Sequence, residues 1–190
     1  NLLNPNAKIS KMGDFQELKQ IDGLSISAVS ADLYKNTTSS GRDDLCLFYF
    51  KDGAKYAELY TKSKIVSESI NWNLKIKNKF IKALLVNTKN ANTFTGKQGF
   101  KALKELAKAV SKSLTLKLAQ APEGANEVID PNEIIFASTG VIGEVFPTEK
   151  IKETIPYLVD NLKFDQNKFV WFKAASSILT TDTRPKVAFE

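Results

Sequence analysis

The sequence predicts an α/β or α+β fold, a sheet covered by helices, on three observations. Apolar strand-like runs alternate with segments of helical periodicity, and no internal repeat or low-complexity stretch interrupts them. The third is the balance of 43% hydrophobic and 25% charged residues, that of a globular chain able to bury one core. Residues 1–20 read as an N-terminal arm with a short amphipathic segment through Phe15 and Leu18, and 21–190 as a single α/β domain.

Taken in order, residues 24–33 alternate Leu24, Ile26 and Ala28 against Ser25 and Ser27, which suits a half-buried strand. A polar turn follows over 35–41, and 44–50 with 54–61 read as a hairpin around Lys51-Asp52-Gly53. Residues 63–74 lean towards helix, and 80–87 form a buried strand. Thr95-Gly96-Lys97-Gln98 has the capping-box form, and Phe100, Leu103, Ala107, Val110 and Leu114 then recur at helical spacing. A polar loop over 121–126 leads through Asp130-Pro131 into a strand that starts at Ile134. After Pro147, Thr148 is expected to cap a helix whose inward face is Ile151, Ile155, Leu158, Val159 and Leu162. A last helix is expected from about Asn167 to Leu179, before Thr180-Thr181-Asp182-Thr183 and Pro185.

Composition removes several kinds of chemistry. With no histidine and one cysteine, Cys46 in an apolar run, a Ser-His-Asp or Cys-His arrangement, a disulfide framework and a Cys-rich metal site cannot be built within these residues. Net charge is +6, yet of 27 basic residues only Arg42 and Arg184 are arginine, the residue favoured for bidentate phosphate and base recognition. Lys97, Lys101, Lys104 and Lys108 form a stripe opposite the apolar helix face, read as solvated surface and not as a nucleic-acid site. No apolar stretch approaches the roughly 18 residues that span a bilayer, and Asn1-Leu2-Leu3-Asn4-Pro5-Asn6 is too polar for a secretory apolar region.

Three segments join apolar strand ends to small polar residues. In Ala137-Ser138-Thr139-Gly140 a glycine permits close backbone approach and a hydroxyl adds a second donor, which suits either a developing oxyanion or a tight turn. The run from Asn87 through Asn90 and Asn92 to Gly96 joins a buried strand to a helix, where Asn and Thr serve either a ligand or the turn itself. Thr180-Thr181-Asp182-Thr183-Arg184-Pro185-Lys186 clusters hydroxyls beside a carboxylate, which suits a substrate contact or a helix C-terminal turn.

Together with Ser40-Gly41-Arg42-Asp43-Asp44-Leu45, these segments resemble, in order, four motifs of the ornithine acetyltransferase family, over roughly residues 20–190. The resemblance implies a layered sandwich of two stacked sheets flanked by helices, completed by a β chain. It also implies a precursor that cuts itself, the new N-terminal threonine of the β chain becoming the nucleophile with its own amine as base. The family moves acetyl from N-acetyl-ornithine to glutamate by a ping-pong route in arginine biosynthesis. It needs no cofactor, with acetyl-CoA open as an alternative donor. Carried onto this sequence, Thr139 and Gly140 form the oxyanion hole and Thr180 contacts substrate, with Asn87, Asn90, Asn92 and Asp182 as site neighbours. A cytoplasmic heterotetramer of two αβ units, without nucleic acid or membrane, is the expected assembly.

The sequence also departs from the family. Its Lys-Gly-Ser-Gly-Met-Ile segment and nucleophilic threonine do not occur before Glu190, so the chain is expected to be an α chain that depends on a partner. Lys89 stands where the family usually has glycine, Thr93-Phe94 replaces Ala-Cys, and Lys62-Ser63 replaces Thr-Asn. Two rivals remain: a threonine amidase or peptidase subunit, and a non-catalytic amino-acid-binding subunit.

Overall fold

The computed structural model describes residues 18–35, 41–77, 80–121, 127–182 and 185. Four strands, β1 (Leu24–Val29), β2 (Leu45–Lys55), β3 (Phe80–Asn87) and β4 (Ile134–Ser138), form one sheet in the order β1-β2-β3-β4. The first three are antiparallel neighbours, whereas β4 lies parallel to β3 after a crossover through α2 (Gly96–Leu118). A short α1 (Glu68–Asn73) precedes β3, and α3 (Thr148–Asp160) and α4 (Lys168–Ser177) follow β4. The mixed α/β class and the helix cover therefore hold, but the sheet among the described residues is single. The second sheet of the expected sandwich is not among them.

One face of the sheet carries the larger core. Leu45, Leu47, Ala83, Leu85, Ile134 and Phe136 meet Leu103, Leu106, Val110 and Leu114 of α2 and Ile151, Ile155 and Leu158 of α3. Each such leucine, isoleucine, valine or phenylalanine side chain, taken fully out of water, stabilises the fold by roughly 1.5–3 kcal/mol. The helix periodicities read from the sequence are the ones that build this core, and Lys97, Lys101, Lys104 and Lys108 face solvent as expected.

The opposite face is covered unevenly. Val170, Trp171 and Ala174 of α4 pack on Leu24, Ile26, Ala28 and Cys46, so β1 is buried on both faces instead of one. Burial pushes the Cys46 thiol up to about 12, so it packs as an inert small hydrophobe. Towards β3 and β4 the cover thins: Leu84 and Val86 are half-buried and Ala137 is exposed.

Several local expectations fail for identifiable reasons. No hairpin forms at Lys51-Asp52-Gly53; β2 runs through it as one strand with a bulge, its register with β3 jumping between Tyr49 and Ala54. The extra residues are held from both sides, Lys51 N–H donating to Gly23 O (2.7 Å) and Lys82 Nζ to Lys51 O (2.6 Å). Gly53, at φ 75°, supplies the left-handed residue that the bulge needs. Regular structure after it ends at Lys55, and the helix expected over 63–74 is confined to α1, capped by Ser67.

The expected caps at Thr95 and Thr148 are not made either. The Thr95 hydroxyl donates to Asn92 Oδ1 (2.7 Å) instead of accepting from α2, and Pro147 precedes α3 with Thr148 inside it. The capping box occurs instead at Asp130 and Glu133, on the short turn that feeds β4. The arm residues 1–17, including Phe15, most of the turn at 35–41, and most of the loop at 121–126 lie outside the described residues.

Candidate active site at one end of the sheet

Strand directions bring the chemistry-bearing segments together. The end of β1, the start of β2 and the ends of β3 and β4 share one edge, as the pairs Val29 with Leu45, Leu45 with Asn87 and Asn87 with Ser138 require. Neighbouring strands lie about 4.8 Å apart, so the start of β2 and the end of β4, separated by β3, are about 10 Å from each other. The described parts of the segments singled out in the sequence converge here.

Hydrogen bonds then stitch them into one piece. Thr139 N–H donates to Asn87 O (3.1 Å), Thr88 N–H to Asp44 O (3.0 Å), and Val141 N–H to Lys89 O (2.9 Å). The residues after β3 and β4 thus continue the parallel pairing past the strands, with Ala91 N–H donating to Val141 O and Gly143 N–H to Thr93 O, both at 2.9 Å. On the other side, the Arg42 guanidinium lies 4.6 Å from the Tyr34 ring centroid and donates to Ser176 O and Leu179 O at the end of α4. Thr180, half-buried, is the next residue, so Arg42 ties it to the same end of the sheet.

Gly140 occupies a place that no other residue fits. A Cβ there would sit 2.2 Å from the Lys89 carbonyl carbon, 2.4 Å from its oxygen and 2.6 Å from Asn90 N, and φ is 137°. Both spatial and conformational constraints demand glycine. Because Thr139 N–H and Val141 N–H are already engaged, the Gly140 N–H and the Thr139 hydroxyl are left without a protein partner among the described residues. Two adjacent free donors on a fixed backbone are what a developing oxyanion needs.

The three asparagines do something else. Asn87 accepts from Ser138 Oγ (2.7 Å) and donates to Asn90 O (2.9 Å), and Ser69 donates to Ser138 in turn (2.7 Å). Asn90 donates to both Glu144 O and Val145 O (3.2 Å each) and accepts from Asn92 N–H (2.8 Å). Asn92 reaches Gly99 O (3.3 Å), so close to α2 that a Cβ on Gly99 would meet Asn92 Oδ1 at 2.3 Å. All three are buried, and their side chains hold the loop's shape. Lys89, Asn92 and Phe94 have φ of 73°, 49° and 62°, a left-handed conformation that costs a non-glycine residue about 1 kcal/mol or more.

Asp44 anchors the neighbouring turn. Fully buried, it accepts from Ala31 N–H (2.7 Å) and Leu33 N–H (2.8 Å); burial raises its carboxyl above the usual 3.8, with the two hydrogen bonds pulling the other way. Asp182 is exposed, and Thr183, Arg184 and Lys186 lie outside the described residues. Spacing alone missed Arg42, because its partner carbonyl is 137 residues away. It also missed Asn73, which donates to Phe136 O and accepts from Phe136 N–H (3.0 Å each), closing the free edge of β4.

No cluster of possible metal ligands and no helix long and apolar enough to cross a membrane occurs among the described residues. Comparison with known proteins agrees with the four motifs. The arginine biosynthesis bifunctional protein ArgJ of Gluconobacter oxydans is 36% identical over 173 residues, covering 90% of this chain and 36% of that protein. Its counterpart in Rhizobium meliloti is 33% identical, covering 92% of this chain and 37% of its own length. The chain thus spans little more than a third of the curated relatives it matches.

Among solved structures, ArgJ of Bacillus halodurans superposes with a TM-score of 0.71 at 22% identity, covering 88% of this chain and 80% of that one. The ornithine acetyltransferase of Mycobacterium tuberculosis, solved with ornithine, gives 0.72 at 23%, covering 85% and 78%. These likenesses establish the fold. A model described as the ArgJ family matches residues 26–190, and the chain belongs to that family.

Proposed function

We propose that this chain is the α subunit of an acetyltransferase that moves acetyl from N2-acetyl-ornithine to glutamate in arginine biosynthesis. The observation that carries the reading is the Gly140 peptide, pressed onto Lys89 and Asn90 with its N–H and the Thr139 hydroxyl free. The nucleophile is the N-terminal threonine of a β chain cut from the same precursor. Its amine takes the hydroxyl proton as the oxygen attacks the acetyl carbonyl, and the oxyanion forms against Thr139 and Gly140. The C–N bond to ornithine breaks and the proton leaves with ornithine; the glutamate amine then attacks the acetyl-threonine, the ester C–O bond breaks, and the proton lost by the glutamate nitrogen returns through the β-chain amine to the threonine oxygen.

Thr180 is assigned to substrate contact on the α4 side of the site, with Asp182 as a site neighbour and Arg42 fixing Thr180 through Leu179 O. The β chain covers the half-bare apolar face around Leu84, Val86 and Ala137, and αβ units assemble into a cytoplasmic heterotetramer. No cofactor is assigned, and acetyl-CoA is a candidate second donor.

The assembled protein, incubated with acetyl-ornithine with and without glutamate, tests the reading. Acetylglutamate formed only in the presence of glutamate supports it. Acetate released at the same rate in both cases replaces it with an amidase. A co-purifying chain that starts with a residue other than threonine removes the proposed nucleophile.

A further inference from the structure

Lys89 and Glu144 lie on the two segments that meet at Gly140, and their side chains form a loose ion pair, Nζ to Oε2 3.7 Å. That separation exceeds the 2.7–2.9 Å typical of a charge-assisted hydrogen bond. The side chains are 30% and 54% exposed, and neither has another partner among the described residues. Their backbones, by contrast, are fixed: Lys89 O accepts from Val141 N–H, and Glu144 O from Asn90 Nδ2. Lys89 also holds a left-handed φ of 73°. Two opposite charges are thus anchored by rigid backbone on the segments that meet at Gly140, while the contact between them opens easily.

We propose that this pair reads the charge of the substrate side chain, Glu144 receiving the ammonium of the acyl donor and Lys89 the carboxylate of the acceptor. The inference rests on the acetyl-ornithine-to-glutamate reading and assigns residues to a problem which that reading creates. In a ping-pong reaction both substrates place their reacting nitrogen at the same acyl carbon, so their side chains enter the same region. One carries a cation there and the other an anion. A fixed charge of one sign would help one substrate and repel the other. A loose pair of both signs offers each a partner, and the displaced member turns to solvent.

Lys89→Gln and Glu144→Gln, made in the full two-chain protein, test this by a crossed pattern. In steady-state kinetics, Lys89→Gln is expected to raise KM for glutamate up to about fivefold more than KM for acetyl-ornithine, and Glu144→Gln to do the reverse. Both side chains are partly exposed, so thermal unfolding should move little and serves as the folding control. Equal effects on the two substrates, or none, overturn the proposal. If the wild-type protein transfers no acetyl group, the functional reading fails, yet calorimetric titration with ornithine and with glutamate still decides the pair. Ornithine binding weakened by Glu144→Gln and glutamate binding weakened by Lys89→Gln support it; affinities that do not cross refute it.

Discussion

The loops after β3 and β4 run side by side, joined by backbone hydrogen bonds, yet they are built in opposite ways. The first, through Asn87, Asn90 and Asn92, is buried and turns its amide groups inwards, tolerating left-handed backbone at Lys89, Asn92 and Phe94. The second, from Thr139 to Val145, is mostly exposed and keeps two donors unengaged. One loop is the mould and the other the cast. The strain in the first is tolerable because Asn87, Asn90 and Asn92 over-determine its shape. The donors in the second are useful because that shape does not yield.

Substitutions in each loop should therefore fail in different ways. The largest effect is expected from Gly140→Ala, which drives a Cβ into the Lys89 carbonyl and forces an L-residue to φ near 137°. It should destabilise the chain by about 4 kcal/mol in denaturant titration and separate the two loops. A loss under 1 kcal/mol would mean that the approach is not tight.

Asn90→Ala comes next. It strips partners from Glu144 O, Val145 O and Asn92 N–H, and should cost about 2–3 kcal/mol of stability. Hydrogen exchange should quicken across both loops; exchange confined to the first would break the claim that one shapes the other. The smallest effect has the opposite sign. Lys89→Gly relieves left-handed strain at a partly exposed site and should stabilise by about 0.5 kcal/mol, net of the added freedom of the unfolded chain. Destabilisation would mean that the lysine side chain holds the loop.

The same contrast decides what was legible in the sequence. Strand β3, the strand starting at Ile134, and helices α2 and α3 follow from local periodicity, since the faces that repeat are the faces that pack. The glycine at 140 is also legible, after an apolar strand ending in small residues, but the Lys89 carbonyl and Asn90 nitrogen that demand it belong to the loop after β3. The bulge in β2 is not, because Lys51-Asp52-Gly53 has hairpin chemistry and only Gly23 and Lys82 decide otherwise. Thr95 looks like a cap but is captured by Asn92. Arg42 sits in a motif visible at once, while its partner at Leu179 is set by how α4 crosses the sheet. Long-range pairing, not local preference, placed the residues that the reading missed.

The central claim, that Thr139 is a donor to charge that develops during the reaction, is tested most directly by Thr139→Ala in the assembled enzyme. The hydroxyl has no partner among the described residues, so the fold should lose little, with unfolding shifted by less than about 0.5 kcal/mol. KM should change little while kcat falls by about 100- to 1,000-fold. An unchanged kcat, or a rise in KM that accounts for the whole loss, would contradict the account.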